Sequence, residues 1–505
     1  MKDRITLVIG YQEAGAFERQ RAHLHQLLPS LPIQGLRLGP GFSGAALNAL
    51  LEVLTTEYLV LLHAEPMVTV PERSLVRLLQ VAEESRAGIV YSDYFEESGG
   101  ELLARSVNDY QVGSVSEDFD FGPALLISHR VLRRALRQYG AIPSDLRWAG
   151  LYDLRLKIAT ISDIVRVPEC LFICHGRDAA SAGEMPMEEV FRYVDPRNRP
   201  AQQEMERVFI EHLRRLGAYL EPTFAPLPPP EGDYPVLASV IIPVRDRERT
   251  IADAVRSALS QRTSFPYNVI VVDNHSMDRT TEILRQWANA SPRLIHKIPE
   301  RRDLGIGGCW NEAIFAPECG MLAVQLDSDD LYADEGVLET IVRAFFHPEA
   351  FAQAEWRGSC REWPIPRYAM VIGAYRTVNF RLEEIPPGVV DHREWTCEDG
   401  RNNALRVKGC GAPRAYYVPL LRRFGFPNVS YGEDYAMCLR LSREYEVGRL
   451  FDPIYLARRW EGNTDRALPW EVKMRYEAYK DWVRTLEIRA RQRRNRRQEG
   501  DDDPD

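Results

Sequence analysis

The chain has 505 residues, which is too long for one ordinary core and indicates two or three domains. Hydrophobic residues make up 45% of the chain and charged residues 27%, as in soluble globular proteins. The formal net charge of -9 excludes a globally basic nucleic-acid-binding protein, and no apolar run is long enough to cross a bilayer. We therefore expect no nucleic-acid partner.

The first residues predict a β-strand and contain neither the apolar stretch nor the cleavage site of a signal peptide. Eight cysteines are scattered without a CxxC pair or the spacing of a zinc site, so reduced thiols are expected. Together these features predict a cytoplasmic protein.

Strand signals alternate with amphipathic helical stretches along the chain, which predicts an α/β fold with largely parallel sheets. A helix is expected from Pro200 to Leu220, and the Pro-rich segment from Pro222 to Pro235 is expected to be a linker. The predicted segments are a first domain (1–198), the helix and linker (199–235), a second domain (236–470), and a C-terminal helix with a charged tail (471–505).

The two halves of the chain have the pattern of a diverged repeat. Apolar strand-like runs begin both halves, and Gly44–Asn48 matches Gly307–Asn311 at an offset of 263 residues. A second apolar run ends before His63 in the first half and before Asp327 in the second, at an offset of 264 residues. The near-equal offsets predict two similar domains in tandem, and a chance match of common α/β patterns is the alternative.

An acidic cluster, Asp327 to Asp330, directly follows the strand-like run Leu322–Leu326. In open α/β sheets, ligands bind beyond the carboxyl ends of strands, where carboxylates are costly unless they meet a cation or hydrogen-bond donors. Asp327 and Asp329 are therefore candidate ligands for Mg²⁺ or Mn²⁺, which would neutralise a bound diphosphate. A helix cap or an acidic loop is the structural alternative, because a D-x-D pattern alone is common.

Polar residues also end other predicted elements. Asp273 follows a buried strand and could accept a hydrogen bond from a nucleobase, or could cap a helix. Glu433 and Asp434 open a helix, where they could supply a general base or only interact with the helix dipole. Arg458 and Arg459 lie in a basic loop after a strand and could pair with diphosphate oxygens.

These ordered motifs, covering residues from about 237 to 465, resemble the inverting family 2 glycosyltransferases of the GT-A fold. The resemblance rests on four segments: Ser239–Val244, Val271–Thr280, Leu326–Asp330 and Gly432–Asp434. It implies transfer of a sugar, with inversion, from a UDP- or GDP-sugar to a carbohydrate or related hydroxyl acceptor. A nucleotidyltransferase or a carbohydrate-binding scaffold remains an alternative.

The resemblance also assigns roles to individual residues. It implies that Asp273 binds the base, Asp327 contacts the ribose or the metal, Asp329 holds the metal, and Asp434 deprotonates the acceptor hydroxyl. Four further positions are expected at the donor: Pro243, Arg245 and Asp246 in the nucleotide-binding loop, and Gly411 beside the donor sugar.

Trp460 stands near a position where many relatives have a histidine that is sometimes a metal ligand. A tryptophan cannot ligate a metal, which leaves the third ligand open. Trp460 or Trp395 could instead stack on a sugar face. The charged loop before Trp395 suits a sugar-binding surface or a plain ion pair.

The N-terminal half resembles the same fold with weaker motifs. His63 and Glu65 stand in place of the acidic cluster, and Gly150-Leu151 stands in place of the Glu-Asp pair. We therefore expect a catalytically degenerate domain that serves as a scaffold or holds the acceptor.

Six arginines lie between Arg489 and Arg497, and acidic residues follow up to Asp505. Such charge blocks are usually solvated. The alternative is a basic helix that makes weak contact with anionic lipid at the inner face of a membrane. A homodimer is left open as an assembly.

Overall fold

The computed structural model describes residues 3–39, 41–175, 198–354, 356, 359–360, 363–461, 463 and 468–499. The chain divides into two compact units: unit 1 is Met1–Tyr219 with Asp465–Asp505, and unit 2 is Leu220–Thr464. The acidic end of the predicted tail, with Asp501, Asp502, Asp503 and Asp505, lies outside the described residues.

Unit 1 alternates strands and helices from its first residues. Its elements are β1 (Ile5–Tyr11), α1 (Ala14–Leu27), β2 (Ile33–Arg37), α2 (Gly44–Val53), β3 (Tyr58–His63), β4 (Met67–Thr69), α3 (Glu72–Ser85), β5 (Ile89–Ser98), β6 (Glu101–Arg105), β7 (Ala124–Ser128), α4 (His129–Tyr139), α5 (Gly150–Ala159), β8 (Ile164–His175) and α6 (Arg199–Arg215). In the described part of this unit the strands form one sheet in the order β2-β1-β3-β7-β5-β8-β4, with β6 paired to β5. β1 is parallel to both neighbours and buried on both faces, which explains its continuous apolar sequence.

Unit 2 repeats this alternation. Its elements are β9 (Ala238–Val244), α7 (Ile251–Leu259), β10 (Tyr267–Asp273), α8 (Thr280–Ala290), β11 (Leu294–Lys297), α9 (Ile306–Ile314), β12 (Leu322–Gln325), β13 (Leu331–Tyr332), α10 (Val337–Ala344), α11 (Pro348–Gln353), β14 (Met370–Val378), β15 (Glu384–Val390), α12 (Gly400–Asn403), β16 (Arg414–Tyr417), α13 (Val418–Phe424), α14 (Glu433–Ser442) and β17 (Val447–Arg458). The described strands form a second sheet in the order β11-β10-β9-β12-β16-β14-β17-β13, with β15 paired to β14. Because β10, β9 and β12 are parallel, their carboxyl ends meet at one edge.

The two sheets have the same strand order once β11 is set aside. β1, β2, β3, β4, β5, β6, β7 and β8 correspond to β9, β10, β12, β13, β14, β15, β16 and β17, with the same parallel and antiparallel pairings. The prediction of an α/β fold with two similar domains is therefore confirmed, but the expectation of largely parallel sheets is wrong, because both sheets also contain antiparallel pairings.

Single side chains repeat as well. The Asn48 amide on α2 donates to the carbonyl of Ile142 (2.8 Å), and the Asn311 amide on α9 donates to the carbonyl of Phe426 (2.9 Å). Both glycines of the predicted repeat are needed, because a Cβ on Gly44 or on Gly307 would lie 2.0 Å from a proline carbonyl oxygen. The same helix-to-loop contact thus recurs in both units.

The Pro-rich segment packs on unit 2. Leu227 and Tyr234 are buried, and the hydroxyl of Tyr417 donates to the carbonyl of Pro228 (3.0 Å). The backbone N–H of Ala225 donates to a carbonyl at the end of α14. This segment is therefore part of the core of unit 2, and the expectation of a simple linker is corrected by the apolar side chains it buries.

A C-terminal helix, α15 (Trp470–Glu499), belongs to unit 1. Arg491 is fully buried and pairs with Glu487 (2.8 Å), whereas Arg493, Arg496 and Arg497 are exposed. The arginine-rich segment is thus part of a packed helix with one exposed basic face. The expectation that the whole segment is solvated is wrong. In the described residues, no helix combines the length and apolar character needed to cross a membrane.

Candidate active site

The carboxylate of Asp327 lies just beyond β12 and is held by its own strand. The amide nitrogen of Gln325 donates to both carboxylate oxygens of Asp327 (2.9 and 3.0 Å), and the backbone N–H of Asp327 donates to the hydroxyl of Tyr455 (2.9 Å). Burial raises the pKa of Asp327, and the nearby carboxylates of Asp329 and Asp434 raise it further. A concentration of negative charge therefore forms at this strand end.

Asp329 faces a loop at the end of unit 2. One of its oxygens, Oδ2, accepts hydrogen bonds from the indole N–H of Trp460 (3.2 Å) and the amide of Asn463 (3.2 Å). The same oxygen lies 3.9 Å from Nε of Arg247. Trp460 therefore touches the predicted metal ligand as a donor, and its ring packs at 4.9 Å against the Arg249 guanidinium.

Arg458 does not present its side chain to the surface. Its side chain is 2% exposed and pairs with Asp253 (3.1 Å), while its Nε donates to the carbonyl of Asp329. Its backbone N–H donates to the carboxylate of Asp330 (2.8 Å). In this structure Arg458 ties the acidic turn to β17 and α7, and its contact with a diphosphate stays a prediction. Arg459 beside it is half-buried.

The expected nucleotide-binding loop follows β9. Pro243 is half-buried within the strand, and Arg245 and Asp246 are exposed after it. Asp246 has a positive φ of 53°, and its carboxylate accepts from the backbone N–H of Met277 (2.6 Å). Arg245 and Asp246 are therefore accessible, on a turn fixed by the loop after β10.

Asp273, at the end of β10, is completely buried. It accepts hydrogen bonds from the N–H of Ser276 (3.0 Å) and the hydroxyl of Thr281 (2.5 Å), and lies 3.4 Å from Nε2 of His296. Burial alone would raise the pKa of Asp273, but the donors from His296, Thr281 and Ser276 lower it below its usual range. The carboxylate expected at a nucleobase thus organises the turn between β10 and α8 in this structure.

The expected base, Asp434, lies in the first turn of α14 with its side chain 24% exposed. Its Oδ2 pairs with Nη1 of Arg414 (2.5 Å), and its Oδ1 accepts from the N–H of Tyr435 (2.7 Å). Burial would lower the pKa of Arg414, but Asp434, Asp327 and Glu433 raise it above its ordinary value. Arg414 is therefore a permanent cation among these acids.

Glu433 is 7% exposed, and within the described part of the chain its Oε2 accepts no hydrogen bond. Burial, reinforced by the charge of Asp434, raises the pKa of Glu433 to about 8. Sequence reasoning missed the contribution of Gln325 and Arg414 to this site. Their only signal was polarity: Gln325 interrupts an apolar strand, and Arg414 begins another.

Gly411 has a φ of +89°, and a Cβ there would lie 2.6 Å from the ring of His392. The glycine therefore makes room for a buried imidazole, and its position beside a donor sugar stays a prediction. His392 itself is 3% exposed and hydrogen-bonded to Glu394 (2.9 Å), so the loop before Trp395 is packed at this point. Asp391 and Arg393 form an ion pair (2.6 Å), which is the alternative that the sequence left open for this loop.

Cys410 and Cys438 form a disulfide between the loop before β16 and α14. The expectation that all eight cysteines are reduced is corrected at this pair, because the fold brings together two cysteines that are 28 residues apart in sequence. The expected cytoplasmic location therefore loses the support it drew from cysteine spacing.

The equivalent positions of unit 1 lack this chemistry. His63 and Glu65 end β3 where Asp327 and Asp329 end β12, and Gly150-Leu151 begin α5 where Glu433-Asp434 begin α14. Because a Cβ on Gly150 would lie 2.5 Å from the carbonyl oxygen of Phe42, a glutamate cannot be accommodated there.

A divalent metal fits the donor set of unit 2. Asp327 and Asp329 provide oxygen ligands, and because burial raises the pKa of Asp327, a bound cation would stabilise its ionised form. No group of three or more His, Cys, Asp or Glu side chains is arranged for a metal in the described residues. Two carboxylates nevertheless suffice for Mg²⁺-type sites, where substrate phosphates and water complete the shell.

The parallel strands β10, β9 and β12 of a mixed sheet end beside clustered carboxylates, which defines unit 2 as an α/β domain with a strand-end ligand site. Residues 239–402 match the model of Glycosyl transferase family 2. All of the matched residues lie in unit 2.

Two curated relatives align with more than half of this chain. The O-antigen biosynthesis protein RfbC of Myxococcus xanthus is 27% identical over 330 residues, which cover 62% of this chain and 24% of the relative. The uncharacterized protein y4gI of Sinorhizobium fredii is 24% identical over 320 residues, which cover 60% of this chain and 33% of the relative. The chain thus spans about a quarter to a third of the length of these relatives.

Two solved glycosyltransferase structures show a partial similarity. Residues 1–349 of Staphylococcus aureus TarS, in complex with UDP-GlcNAc, are 20% identical with a TM-score of 0.35, and the match covers 50% of this chain and 72% of that chain. The mannosyltransferase PcManGT from Pyrobaculum calidifontis, in complex with GDP-Man and Mn²⁺, is 17% identical with a TM-score of 0.32 and covers 59% of this chain and 84% of that protein.

Proposed function

We propose that unit 2 transfers a sugar from a UDP- or GDP-sugar to a hydroxyl acceptor, with inversion and with dependence on Mn²⁺ or Mg²⁺. The observation that carries this proposal is the meeting of Asp327 and Asp434 around Arg414, although 107 residues separate the two acids in sequence. The family 2 match over residues 239–402, which include Asp327 and Asp329, supports the same interpretation.

The donor would lie at the carboxyl edge of β9, β10 and β12. Asp327 and Asp329 would hold the metal, which when bound supplies charge neutralisation for the departing nucleoside diphosphate. Arg245, exposed at the end of β9, is the cation best placed to meet a donor phosphate from solvent. Gln325 orients Asp327 by donating to both of its oxygens.

Asp434 would act as the general base. Its carboxylate is partly exposed, and a carboxylate within reach of the acceptor hydroxyl takes the proton as that oxygen attacks the anomeric carbon. A single displacement breaks the bond between sugar and diphosphate on the opposite face, so the configuration at the anomeric carbon is inverted.

The acceptor is proposed to be a carbohydrate. The name of the RfbC relative, which refers to O-antigen biosynthesis, supports a role in polysaccharide biosynthesis. Unit 1, which lacks the acidic set, would then serve as a scaffold or hold the acceptor. Location at the inner face of a membrane, a cytoplasmic setting and a homodimer remain parts of this proposal.

The test begins with the full chain and a panel of UDP-, GDP- and dTDP-sugars in the presence of Mn²⁺. A donor that binds only the folded state raises the melting temperature and identifies the nucleotide. Transfer to saccharide acceptors is then compared between the wild type and Asp434→Asn. We expect the variant to lose about 10²- to 10⁴-fold in kcat while it still binds the donor.

The matched control is Leu151→Asn, at the corresponding position of unit 1. This variant should transfer sugar at the wild-type rate. Full activity of Asp434→Asn would refute the assignment of the base, and a wild type that neither binds nor cleaves any nucleotide sugar would refute the function itself.

A further inference from the structure

We infer that Gln325 and Arg414 are positioning residues that connect the donor-side carboxylate Asp327 to the base Asp434. The inference rests on the proposed function and adds a coupling to it: the contacts that hold the donor end of the site also set the orientation of the base.

The connection starts at the last residue of β12. The side-chain amide of Gln325 uses both of its ends, because its nitrogen donates to the two oxygens of Asp327 and its oxygen accepts from the backbone N–H of Arg414 (3.1 Å). The backbone pairing of β12 with β16 ends at Val324 and Ala415, so the Gln325 side chain continues the ladder by one step. A shift of Asp327 therefore reaches the backbone of β16 through one residue.

Arg414 continues the connection from backbone to side chain. Its Nη1 donates to the carbonyl of Gly411 (2.8 Å) and pairs with Oδ2 of Asp434 (2.5 Å). With its side chain only 16% exposed, the guanidinium has little freedom to turn away. Because Oδ2 is held by the arginine and Oδ1 accepts from the backbone N–H of Tyr435 (2.7 Å), the orientation of this partly exposed carboxylate is fixed before an acceptor hydroxyl arrives.

Unit 1 lacks both connecting residues and the base. The residues of β3 and β7 that correspond to Gln325 and Arg414 are Leu61 and Leu125, which face each other in the sheet. The residue corresponding to Asp434 is Leu151. If Gln325 and Arg414 served only the stability of the sheet, they would have no reason to be absent from the unit that lacks the base. If they position the base, a unit without the base has no need of them.

The experiment uses the full chain with the donor found for the wild type and compares Arg414→Met, Asp434→Asn and the double variant. If Arg414 acts through Asp434, Arg414→Met lowers kcat by about 100-fold, as expected for a misplaced catalytic group, and changes the donor Kd by less than about 3-fold. In the Asp434→Asn background the same substitution then causes no further loss.

Gln325→Leu installs the residue of unit 1 and tests the other half of the connection. Because Gln325 contacts both Asp327 and Arg414, we expect this variant to weaken donor binding and to lower kcat, each by about 10-fold. A variant that changes donor binding alone would show that Gln325 does not reach the base, and would overturn the coupling.

Two further variants separate positioning from folding. Arg414→Lys keeps a cation and should recover part of kcat relative to Arg414→Met. Arg423→Met removes an exposed arginine from α13 and should leave transfer unchanged. Wild-type activity of Arg414→Met, or an equal loss in the Asp434→Asn background, overturns the inference while the proposed function stands. A wild type without any donor turnover overturns both.

Discussion

The carboxyl edges of the two sheets differ far more than the sheets themselves. Both units pair their corresponding strands in the same order and direction. In both, an asparagine fixes the helix that precedes the strand of the acidic-cluster position: Asn48 on α2 before β3, and Asn311 on α9 before β12. Yet β12 ends in three carboxylates, whereas β3 ends in His63 and Glu65. The sheet can therefore be kept while the chemistry at its edge is lost.

The loss in unit 1 is structural as well as chemical. Gly150 packs against the backbone of Phe42, so the space that Glu433 fills in unit 2 is closed in unit 1. The residue corresponding to Cys438 is Arg155, which donates to the carbonyl of Ser116 (2.9 Å) instead of forming a disulfide. A single substitution in unit 1 would not recreate the site of unit 2.

The largest effect that separates the units is expected at the acidic turn. Asp329→Asn removes a proposed metal ligand and should lower transfer by about 100-fold, because a preorganised charge at the leaving group is lost. The measurement is the initial rate over a series of Mn²⁺ concentrations. Glu65→Gln, at the matching position of unit 1, is the control, because Glu65 is exposed and pairs only with Arg19 at the surface (3.1 Å).

If Glu65→Gln caused a loss as large as Asp329→Asn, unit 1 would have a catalytic role and the contrast between the units would fail. If Asp329→Asn kept full activity at low Mn²⁺, the acidic turn would not hold the metal.

Much of the fold could be predicted from the sequence, because buried strands and helices leave local patterns. The strand before Asp327, the helix after Gly432 and the correspondence of Asn48 with Asn311 all depend on residues close in sequence. The match of two weakly similar halves predicted two similar domains, whereas the order of the strands came from the structure.

The rest of the site depends on contacts between distant residues. Nothing near Arg458 in sequence reveals that Asp253 neutralises it, and nothing near Gly411 reveals the ring of His392. The disulfide was missed for the same reason, and so was the contact of Arg414 with Asp434. Local patterns predicted which residues are polar but not which partners they have.

A smaller difference is expected in the helix-to-loop contacts of the two units. Asn311 makes two hydrogen bonds with Phe426, one as donor (2.9 Å) and one as acceptor (2.8 Å), whereas Asn48 donates one to Ile142 (2.8 Å). Asn311→Ala should therefore lower the free energy of unfolding by about 2 kcal/mol and Asn48→Ala by about 1 kcal/mol. Urea denaturation of the two variants measures the difference.

Asn311→Asp serves as the control, because it keeps an oxygen that can accept from Phe426 and should fall between the wild type and Asn311→Ala. Equal losses for the two alanine variants would show that the second hydrogen bond of unit 2 adds no stability.

The smallest expected effect concerns Glu433, which unit 1 replaces with Gly150. The pKa of Glu433 is raised from 4.5 to about 8 by burial and by Asp434, so the folded chain keeps this proton after the unfolded chain has released it. Between about pH 4.5 and pH 8 the wild type must therefore lose stability as the pH rises, because the unfolded state binds fewer protons.

Glu433→Gln cannot ionise, so its stability relative to the wild type should be greater at pH 8 than at pH 5 by about 1 kcal/mol or more. Thermal melts at the two pH values measure this, with the exposed Glu65→Gln as the control that should show no such change. A Glu433→Gln variant whose stability relative to the wild type is the same at both pH values would mean that Glu433 is ionised in the fold, and the site of unit 2 would then hold one more negative charge than we infer.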